Sequence, residues 1–124
     1  MVRKYKVKVN NNRTAWFNEN DQLHREDGPA VEYEDGGKFW YLNGELHREG
    51  GPAIEYEHGS KQWYKNGKRH REDGPAVESY DGHKYWYLND KFLTEQEFNE
   101  QIDPLNNKIV EFGGIRYKLV RQWI

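Results

Sequence analysis

The chain has 124 residues, enough for one domain or one repeat array and too few for two independent cores. With no cysteine it has neither a disulfide framework nor a thiolate metal site, and no apolar run approaches the ~18 residues of a membrane span, so a cytoplasmic protein with no membrane partner is expected. The net charge of −2 is unevenly spread: residues 16–93 hold sixteen acids against ten bases, a local balance of −6 that repels phosphate backbones and disfavours nucleic acid as a partner.

Residues 1–15 carry five Lys or Arg and no acid. "MVRKYKVKV" lacks the apolar core and cleavage site of a secretory signal. Tyr5, Val7 and Val9 alternate with Lys4, Lys6 and Lys8, which predicts a strand whose lysines protect an open edge. "NNN" should turn it into "RTAWF", giving a capping hairpin.

Residues 16–93 form a repeat. Trp16, Trp40, Trp63 and Trp86 recur at intervals of 24, 23 and 23, and His24, His47 and His70 step by 23. "HREDGPAV" stands at 24–31 and again at 70–77, with "HREGGPAI" between them at 47–54. Each unit carries Asn-Gly after its Trp-Tyr pair, at Asn43-Gly44 and Asn66-Gly67, and Asp-Gly or His-Gly before the next Trp, at Asp35, His58 and Asp81. Read as two-residue type I′ turns, these dipeptides predict a β meander interrupted by a loop at "REDGPA", where Pro lacks a ladder donor. That register sets Val31 opposite Trp40, Ile54 opposite Trp63 and Val77 opposite Trp86. One face would then hold the Val/Ile, Trp and His rows, with Tyr33, Tyr56 and the stems of Lys38, Lys61 and Lys84. The other would hold Tyr41, Tyr64 and Tyr87 with Glu32, Glu55 and Glu78, and Phe39, Gln62 and Tyr85 at a variable place.

Residues 94–124 break the pattern. Thr94-Glu95-Gln96-Glu97 is a capping box for a short helix that Asp103-Pro104 should end. "KIVEFGGIRYKLV" reads as a strand, a Gly-Gly turn and a strand, a hairpin that would extend or close the array. The fold expected is mainly β: an elongated antiparallel meander of 23-residue hairpin units with one short C-terminal helix and a terminal hairpin.

His beside carboxylates is the material of acid–base catalysis and zinc sites. Equivalent residues of stacked hairpins, however, lie two or three strand spacings of ~4.8 Å apart. Ring nitrogens ligating one zinc must each come within ~2.1 Å of it, so His24, His47 and His70 do not meet. They and the four Trp are expected to be structural, each imidazole stacked on its cross-strand indole and bonded to loop backbone. Ser60 and Ser79 lack a nucleophile elbow, and the glycines are spaced as turn residues, not as a phosphate loop. No catalytic residue, metal ligand or cofactor site is assigned.

The string W-Y-x-N-G-K-x-H, followed by Gly and a closing Asp-Gly, resembles a MORN repeat, a unit of the same length; the likeness covers residues 16–90. "HREDGPA" replaces the usual "HGxG", so the lipid or kinase roles of some MORN proteins are not carried over. In this form, ending in "LTEQEF", the chain is similar to small repeat proteins of bacteriophages and bacteria. The resemblance implies an elongated sheet used for protein contacts and dimerisation, without catalysis. In a phage it implies an inhibitor of a host protein, such as a CRISPR effector or another defence component, acting in the host cytoplasm. The candidate binding face comprises Tyr41, Tyr64 and Tyr87, Glu32, Glu55 and Glu78, and Arg25, Arg48 and Arg71. The alternative is a sequestering protein in which those tyrosines and arginines hold a nucleotide signal.

Overall fold

The computed structural model describes residues 4–105 and 108–120. The chain begins with β1 (Lys6–Val9) and β2 (Arg13–Phe17), paired as the alternation predicts, with Val7 opposite Trp16 and Lys8 opposite Ala15. Then come β3 (Val31–Tyr33), β4 (Lys38–Phe39), β5 (Tyr41–Leu42), β6 (Glu45–Leu46) and β7 (Ile54–Glu55). The next unit supplies β8 (Lys61–Gln62), β9 (Tyr64–Lys65), β10 (Lys68–Arg69) and β11 (Val77–Glu78), and the array closes with β12 (Lys84–Leu88) and β13 (Lys91–Leu93). Nine of these make one antiparallel sheet in the order β1-β2-β3-β4-β7-β8-β11-β12-β13. The Asn-Gly hairpins, β5 with β6 and β9 with β10, form a second row beside it.

The two rows come from one long strand per unit with Trp at its centre. Its following neighbour is split by the seven-residue loop. Trp40 donates its N–H to Ala53 O at 2.8 Å, and its carbonyl accepts from His47 N–H at 3.1 Å, so residues 47–53 leave and rejoin the ladder opposite a single residue. Trp16 does the same between His24 and Ala30, and Trp63 between His70 and Ala76. Trp86 has no such loop after it; it faces Leu93 alone, and β12 runs unbroken through it.

The Asn-Gly turns form as read: Asn43 and Gly44 take φ of 49° and 82°, with Leu42 opposite Glu45. Asn89-Asp90 keeps this conformation without Gly, at 49° and 66°. The Asp-Gly turns do not. Tyr33 N–H bonds to Gly37 O and Gly36 N–H to Tyr33 O, which makes a three-residue loop in which only Gly36 takes a positive φ, 101°. The Asp35 carboxylate accepts from Gly37 N–H at 2.8 Å and holds this form.

The pairing therefore slips by one from the expected register. Val31 faces Phe39, Ile54 faces Gln62 and Val77 faces Tyr85, and none of the three faces a Trp. Because side chains alternate, the slip exchanges the partners of each face. One face joins the Trp to Glu32, Glu55, Glu78 and the lysines. The other joins Val31, Ile54 and Val77 to Tyr33, Phe39, Tyr56, Tyr85 and the Tyr41, Tyr64, Tyr87 row.

Thr94 caps α1 (Glu95–Ile102) with the expected box: Glu97 N–H donates to Thr94 Oγ1 at 3.1 Å and Thr94 N–H to Glu97 Oε1 at 3.3 Å. The helix packs on β12 and β13. Leu93, on the Trp side, and Phe98 are buried, whereas Phe92, pointing the other way, is 56% exposed; the helix therefore caps the Trp face. The last hairpin, β14 (Ile109–Phe112) and β15 (Ile115–Lys118), forms a sheet of its own with every residue exposed. It neither extends the array nor closes it, contrary to the expectation from its sequence. No helix among the described residues is long and apolar enough to cross a membrane.

Candidate binding surfaces

On the Trp face the loop folds back as a second layer. Arg25, Arg48 and Arg71 lay their guanidinium groups 4.0, 3.8 and 3.8 Å above the rings of Trp16, Trp40 and Trp63. From that position Nη1 of each donates back to its own loop, to the carbonyls of Pro29, Pro52 and Pro75, at 3.2, 3.0 and 3.0 Å. The outer side of each guanidinium rests on glycine. A Cβ on Gly28, Gly51 or Gly74 would stand 3.0, 2.9 or 3.0 Å from the arginine Cζ, so these positions exclude a side chain. The alanine that ends each loop, Ala30, Ala53 or Ala76, is 0% exposed.

The carboxylates of the candidate binding face belong to the same joint. Glu55 and Glu78 pair with Arg48 and Arg71 at 3.2 and 3.1 Å, and Glu32 lies 3.5 Å from Arg25. Arg25 and Arg71 each gain a loop partner, Asp27 at 3.2 Å and Asp73 at 2.9 Å, where Arg48 has Gly50. The nine residues read as one ligand surface thus divide. Arg25, Arg48, Arg71 and the three glutamates bind one another on the Trp face, and Tyr41, Tyr64 and Tyr87 lie on the opposite face.

The histidines also differ from expectation. The group over each Trp is a guanidinium rather than an imidazole, and the histidines bond forward to the next unit. Nδ1 of His24, His47 and His70 accepts from the N–H of Asn43, Asn66 and Asn89 at 2.9, 3.0 and 3.1 Å. An accepting Nδ1 places the proton on Nε2, which in His47 and His70 points at Glu49 and Glu72 at 3.0 and 3.3 Å. Backbone bonds run the same way, from Arg25, Arg48 and Arg71 N–H to the carbonyls of Tyr41, Tyr64 and Tyr87. Among the described residues no three His, Asp or Glu side chains gather as metal ligands would.

Between successive loops lie two open clefts, of about 490 Å³ and 520 Å³, floored by Trp40 and Trp63 and walled by the arginines and by Glu49. Their cationic groups are already stacked and paired.

The opposite face has no second layer, and its rings run in sequence across the sheet. Tyr33 meets Phe39 edge to face at 5.5 Å, Phe39 meets Tyr56 at 5.7 Å, Tyr56 stacks on His58 at 5.2 Å, and His58 meets Tyr80 at 5.3 Å. Val31 and Ile54 are buried among these rings, while Tyr80 is 73% exposed. Asp35 and Glu57 border a groove of about 260 Å³ over Tyr33, Phe39 and Tyr56. Beside the ladder, burial raises the Tyr41 and Tyr64 phenols above their ordinary value. Tyr64 donates to Gln62 at 3.1 Å, and Arg69 lies 4.2 Å over the Tyr87 ring. Tyr33, Phe39, Tyr56, His58 and Tyr80 were not singled out from the sequence as a binding group; the signal that would have found them is a three-residue loop at each Asp-Gly or His-Gly. Comparison of the chain with protein-family models, curated proteins and solved structures finds no match.

Proposed function

We propose that this chain is a non-enzymatic, MORN-like module that binds another protein on its open aromatic face. The observation that supports this reading is the unbroken ladder from Tyr33 to Tyr80 on a sheet face that nothing covers. Aromatic rings held by neighbouring rings offer large contact area with little side-chain entropy to lose, and exposed apolar area of this kind marks contact sites. In a phage setting the partner is a host defence protein, such as a CRISPR effector, inhibited by direct stoichiometric contact in the cytoplasm. The nucleotide-sequestering alternative is the weaker reading, because Arg25, Arg48 and Arg71, its phosphate donors, are held between indole and glycine and paired with carboxylates. The test is photo-crosslinking in the host cell with a photoreactive residue at Tyr80, and at Glu49 on the loop edge as control. One discrete protein adduct from position 80, absent from position 49, is expected. Equal adducts from both positions, or none from position 80, would overturn the assignment.

A further inference from the structure

The C-terminal hairpin pairs Val110 with Tyr117 and Phe112 with Ile115, and strand alternation puts these four on one side. The other side carries Ile109, Glu111, Arg116 and Lys118. None of the apolar four is buried, and Phe112 is 78% exposed. A lone two-stranded hairpin is marginal in water, so this one requires a surface to lie on. The array offers a matching surface of opposite charge: residues 16–93 carry −6, and residues 108–120 hold Lys108, Arg116 and Lys118 against Glu111, a balance of +2.

The chain's own hairpin starts from the wrong side. The helix lies on the Trp face, and two layers are separated by ~10 Å, so passing round the edge at β13 to the aromatic face takes ~20 Å. Six residues, 103–108, make the link, at most ~3.6 Å each when extended. Theirs is a bent path, since Lys108 N–H bonds back to Leu105 O at 3.2 Å. The reach ends near Phe92, at the margin of the face.

We infer that the aromatic face is covered by a second copy of this chain: two molecules exchange their C-terminal hairpins, each laying Val110, Phe112, Ile115 and Tyr117 on the Tyr33 to Tyr80 ladder of the other. This rests on the reading of that face as a contact surface and names its resting occupant. The exchange is reciprocal, so it closes at two copies and doubles the contact, as an interface of more than ~1,000 Å² requires.

The test is light scattering of the full chain over a concentration series. The wild type is expected at twice 14.9 kDa. Phe112→Glu and Tyr80→Glu, both at exposed positions, should each weaken the pair by at least about tenfold. Glu111→Gln, on the far side of the hairpin, should leave it intact. A mixture of Phe112→Glu with Tyr80→Glu should regain dimer, because one hairpin and one ladder remain unaltered. A wild type at 14.9 kDa throughout, a mass that grows beyond two copies, or a dimer that survives both variants would overturn the exchange. A monomeric wild type that still crosslinks one host protein through position 80 would end this inference and leave the binding function standing. A dimer whose position 80 captures no other protein would do the reverse.

Discussion

Replacing Arg71 by Lys keeps the charge and removes the plane, which separates the stacked joint from a simple ion pair. In the native joint Arg71 lies 3.8 Å over Trp63 and donates to Pro75 O at 3.0 Å, and it contacts Asp73 at 2.9 Å and Glu78 at 3.1 Å. A lysine ammonium keeps one of these partners. Stacking of a partly desolvated guanidinium is worth about 1 kcal/mol. The bond to the loop carbonyl adds about 1 kcal/mol, and the ion pairs, whose carboxylates are open to water, add no more than about 0.5 kcal/mol each. The expected loss is therefore about 2–3 kcal/mol, or roughly 6–12 °C in Tm for a chain of this size. Urea and thermal unfolding followed by tryptophan fluorescence read it directly, with Lys84→Arg on the same face as a control near zero. A loss within about 0.5 kcal/mol for Arg71→Lys would refute the stacked joint, since changes at solvated surface positions fall in that range.

Four further expectations follow from the same contacts. His47→Ala should cost about 1–3 kcal/mol by leaving Asn66 N–H without its acceptor, and His47→Asn, whose amide oxygen takes the place of Nδ1, should recover part of that in chemical denaturation. Thr94→Ala should cost about 1 kcal/mol and reduce helical far-UV signal, through loss of the cap. Folding holds the Tyr41 and Tyr64 phenols above their unfolded value, so their contribution is fully present below pH 10.0 and disappears as pH rises through the folded value; tyrosinate absorbance should appear later in the folded chain than in urea. The Asp90 carboxylate is held low, first by the N–H of Arg69, so its contribution is present above pH 3.8 and is lost as pH falls through the lower folded value; Asp90→Asn should flatten that acid limb.

Much of the fold is legible in the letters because its signals are local. Asn43-Gly44 specifies two positive-φ residues in succession, and the Thr94 box satisfies its own backbone donors, so neither depends on distant contacts. Asp35-Gly36 fits two turns differing by one residue, and the choice rests on the carboxylate bond to Gly37 N–H, which the dipeptide alone does not reveal. That single residue inverted the faces, and with them the candidate site: the glutamates moved to the Trp side and the ring ladder came together where none was expected. The arginine sandwich had a signal, a Gly three places after each Arg at Gly28, Gly51 and Gly74, read as turn punctuation rather than as close approach. The unattached hairpin had none, since the pattern of a strand states which side is apolar but not what that side meets.

The fold-back of the loop onto Trp is tested most directly by a double-mutant cycle between Gly51 and Arg48. Gly51 has an ordinary φ, so a methyl group there acts only through the 2.9 Å approach to the Arg48 guanidinium. Gly51→Ala should destabilise the wild type by about 1–3 kcal/mol, as overpacking does, and should cost nearly nothing once Arg48→Ala has emptied the space. Equal losses in both backgrounds would contradict the sandwich and return the loop to solvent.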